Sequence, residues 1–151
     1  MKTIIAAIDF SNATHGVTEM ASSLARAFQA KLLLFHVIDA EPSYAAYGFS
    51  PQEFPAMHAL QEEARVRATQ KMQHVAKSIE ENSSAPVEWH LAEGSPLDCL
   101  LAQAELCSAD LVVLGSHGHG VIASILLGSV AEGMVRRSKY PVLIVPAPPE
   151  I

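Results

Sequence analysis

Five short apolar runs alternate with stretches of helical periodicity, and this alternation restricts the fold more than any other feature of the chain. The runs are TIIAAID at residues 3–9, LLLFHVI at 32–38, VEWHLAE at 87–93, DLVVLG at 110–115 and PVLIVP at 141–146. The third alternates, with Val87, Trp89 and Leu91 on one face. The others are nearly continuous in apolar residues, as strands covered on both faces of a parallel sheet must be.

Between the runs lie four helical patterns. After Ser11 or Asn12, either a suitable N-cap, Val17, Met20, Ala21, Leu24, Ala25 and Phe28 recur at helical spacing. A long second helix is expected over residues 56–79, with Leu60, Ala64, Ala68, Met72, Val75 and Ile79 on one stripe. Its other face carries Glu62, Glu63, Arg65 and Arg67. A third helix begins near Pro96, a good first-turn residue, and shows Leu97, Leu100, Leu101 and Ala104. A fourth starts near Gly128 with Val130, Met134 and Val135. The order βαβαβαβαβ predicts an α/β fold, a single open five-stranded parallel sheet with helices on both faces. Right-handed crossovers leave two strand orders, 2-1-3-4-5 and 3-2-1-4-5. No linker divides the chain, so residues 1–151 are expected to form a single domain. Residues 41–55, with Pro42, Gly48, Pro51 and Pro55, read as a long loop and a flap over a site.

Charge and composition narrow the function. The formal net charge is −6, which repels phosphate backbones and disfavours a nucleic-acid partner. The compact basic cluster Arg136, Arg137 and Lys139 follows a helix pattern and suits a helix C-terminus. No apolar run reaches the ~18–20 residues of a membrane helix, and the N-terminus lacks the features of a signal peptide. A cytoplasmic protein is therefore expected. Cys99 and Cys107 lie two turns apart in one helical stretch, roughly 12 Å, too far for a disulfide. They read as small hydrophobes in a reducing compartment.

Ligands of open parallel sheets sit beyond the carboxyl ends of the strands, beside a topological switch point. There the fourth strand runs into GSHGHGVIASILLGS, residues 115–129. Gly115, Gly118, Gly120 and Gly128 let the backbone turn tightly and approach a ligand closely. Exposed amides cradle anions, and the N-terminus of the last helix adds donors and positive potential. Ser129 can bond a phosphate oxygen and also cap that helix. The loop lacks the G-x-x-x-x-G-K-[ST] of a P-loop, and its glycine order is not the dinucleotide fingerprint. A tight structural turn is the competing reading. Asp9, at the end of the first strand, would face this loop in the order 3-2-1-4-5. It suits ribose hydroxyls, an adenine amino group or a metal, and equally a cap for the first helix.

The spacing Gly115-x2-Gly118-x9-Gly128-Ser129 resembles the nucleotide-binding signature of the universal stress proteins. The resemblance also covers IIAAIDFS, LLLFHVID, the turn EGSP, ADLVVLGSHGHG and LLGSVAEGMVRRSKYPVLIVP, nearly the whole chain. It implies the order 3-2-1-4-5, a homodimer paired through the last strand (residues 141–145), and binding of ATP or a related adenine nucleotide such as ADP or AMP, often with Mg²⁺ or Mn²⁺. It implies that Asp9 and Val37 contact the adenosine part and that Ala7 lies near the adenine, where many ATP-binding members have proline. It implies that Gly115, Gly118, Gly128, Ser129 and Val130 hold the ribose and phosphates. Ser116, His117, His119 and Gly120 belong to the same loop, with His117 and His119 over the phosphates.

His117-x-His119 has no third ligand, so it reads as a solvated pair rather than a metal site. His36 reads as a satisfied core or rim histidine. The loop supplies amides but no placed Lys or Arg for phosphoryl transfer. The function expected is a nucleotide-dependent stress-response regulator. The alternatives are a slow ATPase or autokinase, with Ser129 or Ser124 as acceptor, and a nucleotide-independent dimeric interaction module.

Overall fold

Parallel pairing joins β1 (Thr3–Ala7) to β2 (Lys31–Asp39) on one side and to β4 (Leu111–Gly115) on the other, with Ile5 opposite both Leu33 and Val112. β3 (Val87–Gly94) and β5 (Val142–Val145) form the edges, so the sheet order is 3-2-1-4-5. The computed structural model describes residues 1–39, 55–83, 85–118 and 127–149. The expected flap at residues 41–55 lies outside them except for Pro55. Four helices complete the described architecture: α1 (Thr14–Phe28), α2 (Pro55–Ser83), α3 (Pro96–Leu106) and α4 (Ser129–Arg137).

Side chains alternate across a strand, so the sheet feeds two separate cores. Ile4, Ala6, Leu32, Leu34 and Val113 pack against Val17 and Ala21 of α1 and Met72 and Ile79 of α2. Ile5, Leu33, Phe35, Val112 and Leu114 pack against Leu100 and Ala104 of α3 and Met134 of α4. Ile4, Ile5, Val112 and Val113 are fully enclosed, and each such side chain contributes about 1.5–3 kcal/mol on burial. On β3 the alternation matters: Val87, Trp89 and Leu91 all join the α1/α2 core, as their spacing predicts.

Helix faces differ from expectation in three places. Met20 and Phe28 are 42% and 52% exposed, and Thr18 takes a buried place beside Val17. Its hydroxyl is satisfied within the helix by donating to His15 O at 3.0 Å. Leu60 is 63% exposed, because the buried stripe of α2 begins at Ala68. Arg65 already bonds Glu93 near the end of β3, with Nε and Nη2 at 2.9 and 2.5 Å from Oε1, so the preceding turns run past the sheet edge. On α4 Val135 faces solvent, while Ala131 and Met134 are buried.

Helix ends follow local chemistry. α1 has Ala13 at its N-cap position, not Ser11 or Asn12. Ser11 instead shapes the preceding turn, its Oγ accepting from Ala13 N–H at 3.3 Å and its carbonyl from Thr14 N–H at 3.1 Å. Gln29 closes α1 in the left-handed region at φ 52°. Arg136 and Arg137 occupy the last turn of α4, complementing its dipole. They also pair with Glu132 and Asp98, at 3.0 and 3.4 Å. Cys99 and Cys107 are free thiols, half-buried, and burial pushes both pKa values up, which suits unreactive packing groups. No helix among the described residues is long and apolar enough to cross a membrane.

Candidate functional site

β1 and β4 are neighbours in the sheet, but α1 leaves β1 toward one core and α4 leaves β4 toward the other. Their diverging exits open a cleft of about 590 Å³ at the carboxyl edge of the sheet, a size that suits a small-molecule ligand. The cleft brings together ten of the twelve expected site residues: Ala7, Asp9, Val37, Gly115, Ser116, His117, Gly118, Gly128, Ser129 and Val130. His119 and Gly120 lie outside the described residues, as does Ser124.

The wall after β1 is made of side chains. Asp9 Oδ1 accepts the Ser11 N–H at 3.0 Å, so the carboxylate braces the turn rather than capping α1. Phe10 follows at φ 61°, a conformation that costs a non-glycine residue about 1–2 kcal/mol. Its ring stands 4.5 Å from that of His36. His36 Nδ1 is 2.7 Å from Ile8 O, and a carbonyl only accepts, so Nδ1 carries the proton. This histidine is satisfied structurally, as expected.

The wall after β4 is made of main chain. A Cβ on Gly118 would run into Asp9 Oδ2, so the loop and the carboxylate are in direct apposition. A Cβ on Gly115 would sit 2.8 Å from Ala13 Cβ, locking the two turns together. At Gly128 a Cβ would meet Ser116 O at 3.3 Å and His117 Cα at 3.4 Å. The crowding there comes from the loop itself. Gly128 is the N-cap of α4, and its amide is spent on Ser116 O at 2.7 Å. Ser129 is the first residue of α4 and not its N-cap. The amides of Ser129 and Val130, first in α4, have no carbonyl to reach within the helix and belong to residues lining the cleft. Ala7, Val37 and Val130 extend the α3/α4 core and give the cleft an apolar end.

The lining also includes residues that the sequence reading did not assign to the site, among them Phe10, Thr14, Arg67 and Lys71. Arg67, expected on the outer face of α2, is exposed there and pairs with Glu63 at 3.7 Å, and it also borders the cleft. Ala64, Arg67 and Lys71 follow one another at three and four residues, a helical line that was the available signal. Lys71 Nζ lies 5.2 Å from the centre of the Phe10 ring, within cation–π range. Among the described residues, two buried side-chain polar atoms lack a hydrogen-bond partner, Thr14 Oγ1 and His117 Nε2, and both belong to residues of this cleft. The residues present thus suit an anionic ligand with an apolar end. Among the described residues, no three His, Cys, Asp or Glu are grouped to hold a metal ion.

The fold and cleft define an open, doubly wound α/β domain with a cleft bordered by glycines at its switch point. The chain matches the model of the universal stress protein family over residues 1–146, and it belongs to that family. It is 34% identical over 151 residues to the universal stress protein Rv1636 of Mycobacterium tuberculosis, covering 95% of each chain. The solved structure of MJ0577, a universal stress protein of Methanocaldococcus jannaschii, is 29% identical, with a TM-score of 0.78 over 99% of this chain and 98% of that one. A universal stress protein solved in complex with cAMP is 27% identical, with a TM-score of 0.63 over 97% of this chain and 98% of that one.

Proposed function

We propose that this universal stress protein binds ATP or a related adenine nucleotide in the cleft between Asp9 and the Gly115–Gly128 loop and acts as a nucleotide-dependent regulator. The observation that carries the reading is the apposition of Asp9 with Gly118, where no side chain fits between carboxylate and loop. Adenine goes to the apolar end at Ala7 and Val37, the ribose hydroxyls to Asp9, and the phosphates to the glycine loop and the first amides of α4. His119 and Gly120 belong to the same proposal as parts of that loop. A similar protein solved with cAMP supports an adenine nucleotide in this fold. Mg²⁺ or Mn²⁺ enters as the counter-ion of bound phosphates. Binding rather than rapid turnover belongs to the same proposal. A homodimer through β5 forms part of the same reading, because β5 is an edge strand with half-buried residues.

Calorimetry with ATP, ADP, AMP and cAMP, with and without Mg²⁺, tests the proposal. Saturable heat with at least one nucleotide is expected, and mass spectrometry of small molecules released from the purified protein should name it. No heat and no thermal shift with any of the four overturns the reading. Light scattering of the same sample tests the dimer, which a monomer mass would exclude.

A further inference from the structure

We infer that the Ser116 hydroxyl couples the cleft to the chain that leaves β5, so that a ligand in the cleft holds residues 146–149 in place. This rests on the nucleotide reading and adds to it where occupancy is felt outside the site. Ser116 directly follows β4, lines the cleft and is 9% exposed. Its N–H donates to Val145 O at 2.8 Å, one step beyond the pairing of Gly115 with Val145.

In a continuing parallel ladder the Ser116 carbonyl would next accept the Ala147 N–H. That carbonyl is engaged elsewhere. It accepts the N–H of Gly128, the N-cap of α4, at 2.7 Å. The side chain takes over, and Ala147 N–H donates to Ser116 Oγ at 3.0 Å. The same Oγ lies 2.9 Å from Nδ1 of His117, a residue that lines the cleft. One residue thus holds the cap of α4, the end of β5 and the chain beyond it.

The sequence narrows that hold to a single bond. Residues 146–149 read Pro-Ala-Pro-Pro, and proline carries no N–H. Ala147 therefore has the one main-chain donor of the four, and it is spent on Ser116. Ala147 itself lies outside the lining of the cleft. A ligand that restrains Ser116 from the cleft side also restrains Ala147, and by linkage a tethered Ala147 favours the ligand. β5 is an edge strand, so this coupling carries the state of the cleft to the edge of the sheet. Ser116 is a positioning residue in this scheme.

Hydrogen exchange of the Ala147 amide, followed by NMR in the full chain, reads the tether. In the ligand-free protein Ser116→Ala should speed it about fivefold, as expected for one neutral hydrogen bond. Ser116→Thr, which keeps the hydroxyl, should restore protection. Equal exchange in wild type and Ser116→Ala overturns the tether. Saturation with ATP should slow Ala147 exchange roughly threefold or more in the wild type and leave it unchanged in Ser116→Ala. From the other end, Ala147→Pro removes the donor and should weaken ATP binding about fivefold, the low end of coupling between sites. Calorimetry on the same samples keeps the outcomes apart. If wild type binds ATP, then unchanged Ala147 exchange, or undiminished affinity in Ala147→Pro, overturns the coupling while the nucleotide reading stands. Failure of wild type to bind any adenine nucleotide overturns both, and the ligand-free comparison still decides the tether.

Discussion

The turns that follow β1 and β4 face each other across one cleft, yet they are built on opposite plans. The β1 turn contains no glycine. It is held by its own side chains, with Asp9 bonding Ser11 and Ser11 bonding Ala13, and it accepts a left-handed Phe10. The β4 turn works by steric emptiness. Gly115, Gly118 and Gly128 each stand where a Cβ would press on a neighbour. The first turn therefore presents charge and a ring, and the second presents main chain. A carboxylate and a row of donors held this closely can grip the two chemically different ends of one ligand.

The contrast breaks most severely at Gly118. Gly118→Val drives a side chain into Asp9 and should weaken ATP binding by about a hundredfold, ~2.7 kcal/mol, with an unchanged far-UV circular dichroism spectrum. Retained affinity would show that the apposition is not the binding contact. Gly115→Ala instead forces the two turns apart, because its Cβ would lie 2.8 Å from that of Ala13. Overpacking of this kind costs about 1–3 kcal/mol, which urea unfolding should register; unaltered stability would mean that the turns yield easily.

Asp9 sharpens the comparison by separating bracing from binding. Asp9→Asn keeps an acceptor for Ser11 N–H and should hold stability, whereas Asp9→Ala should lose about 1 kcal/mol. Both should lower nucleotide affinity, and equal stability of the two variants would remove the bracing role. Lys71 tests whether the side-chain wall adds cationic attraction. Lys71→Met should weaken ATP binding a few-fold at low salt and less at high salt, where exposed charges are screened. An unchanged salt dependence would take Lys71 out of the site.

The smallest effect concerns the carboxylate at the other edge of the sheet. Asp110 accepts the Lys2 and Thr3 amides at 2.5 and 2.9 Å, and these bonds hold its carboxyl below the usual range. A depressed folded pKa contributes stability above the unfolded value and loses it as pH falls through the folded one. Asp110→Asn should therefore flatten the acid limb of a melting-temperature profile slightly, and a parallel profile would contradict this.

Much of the fold was legible because apolar runs and helical spacing state which residues turn inward. The glycine loop was legible for a related reason, since glycine marks places with no room for a side chain. Asp9 was legible as a residue at a strand end, but its choice between cap and site was not. The outward placement of Leu60 was misjudged, because it depends on where the sheet ends beneath α2, and no local pattern marks that limit.

By itself the sequence determined five strands, four helices and a glycine-rich turn after the fourth strand, because periodicity and steric emptiness are properties of neighbouring residues. Hydrophobic burial has no direction, so the same pattern satisfied two strand orders until the family resemblance pointed to one. Only the tertiary structure set Asp9 against Gly118, Lys71 over Phe10 and Ser116 between Ala147 and His117, since those meetings depend on which distant segments pack side by side.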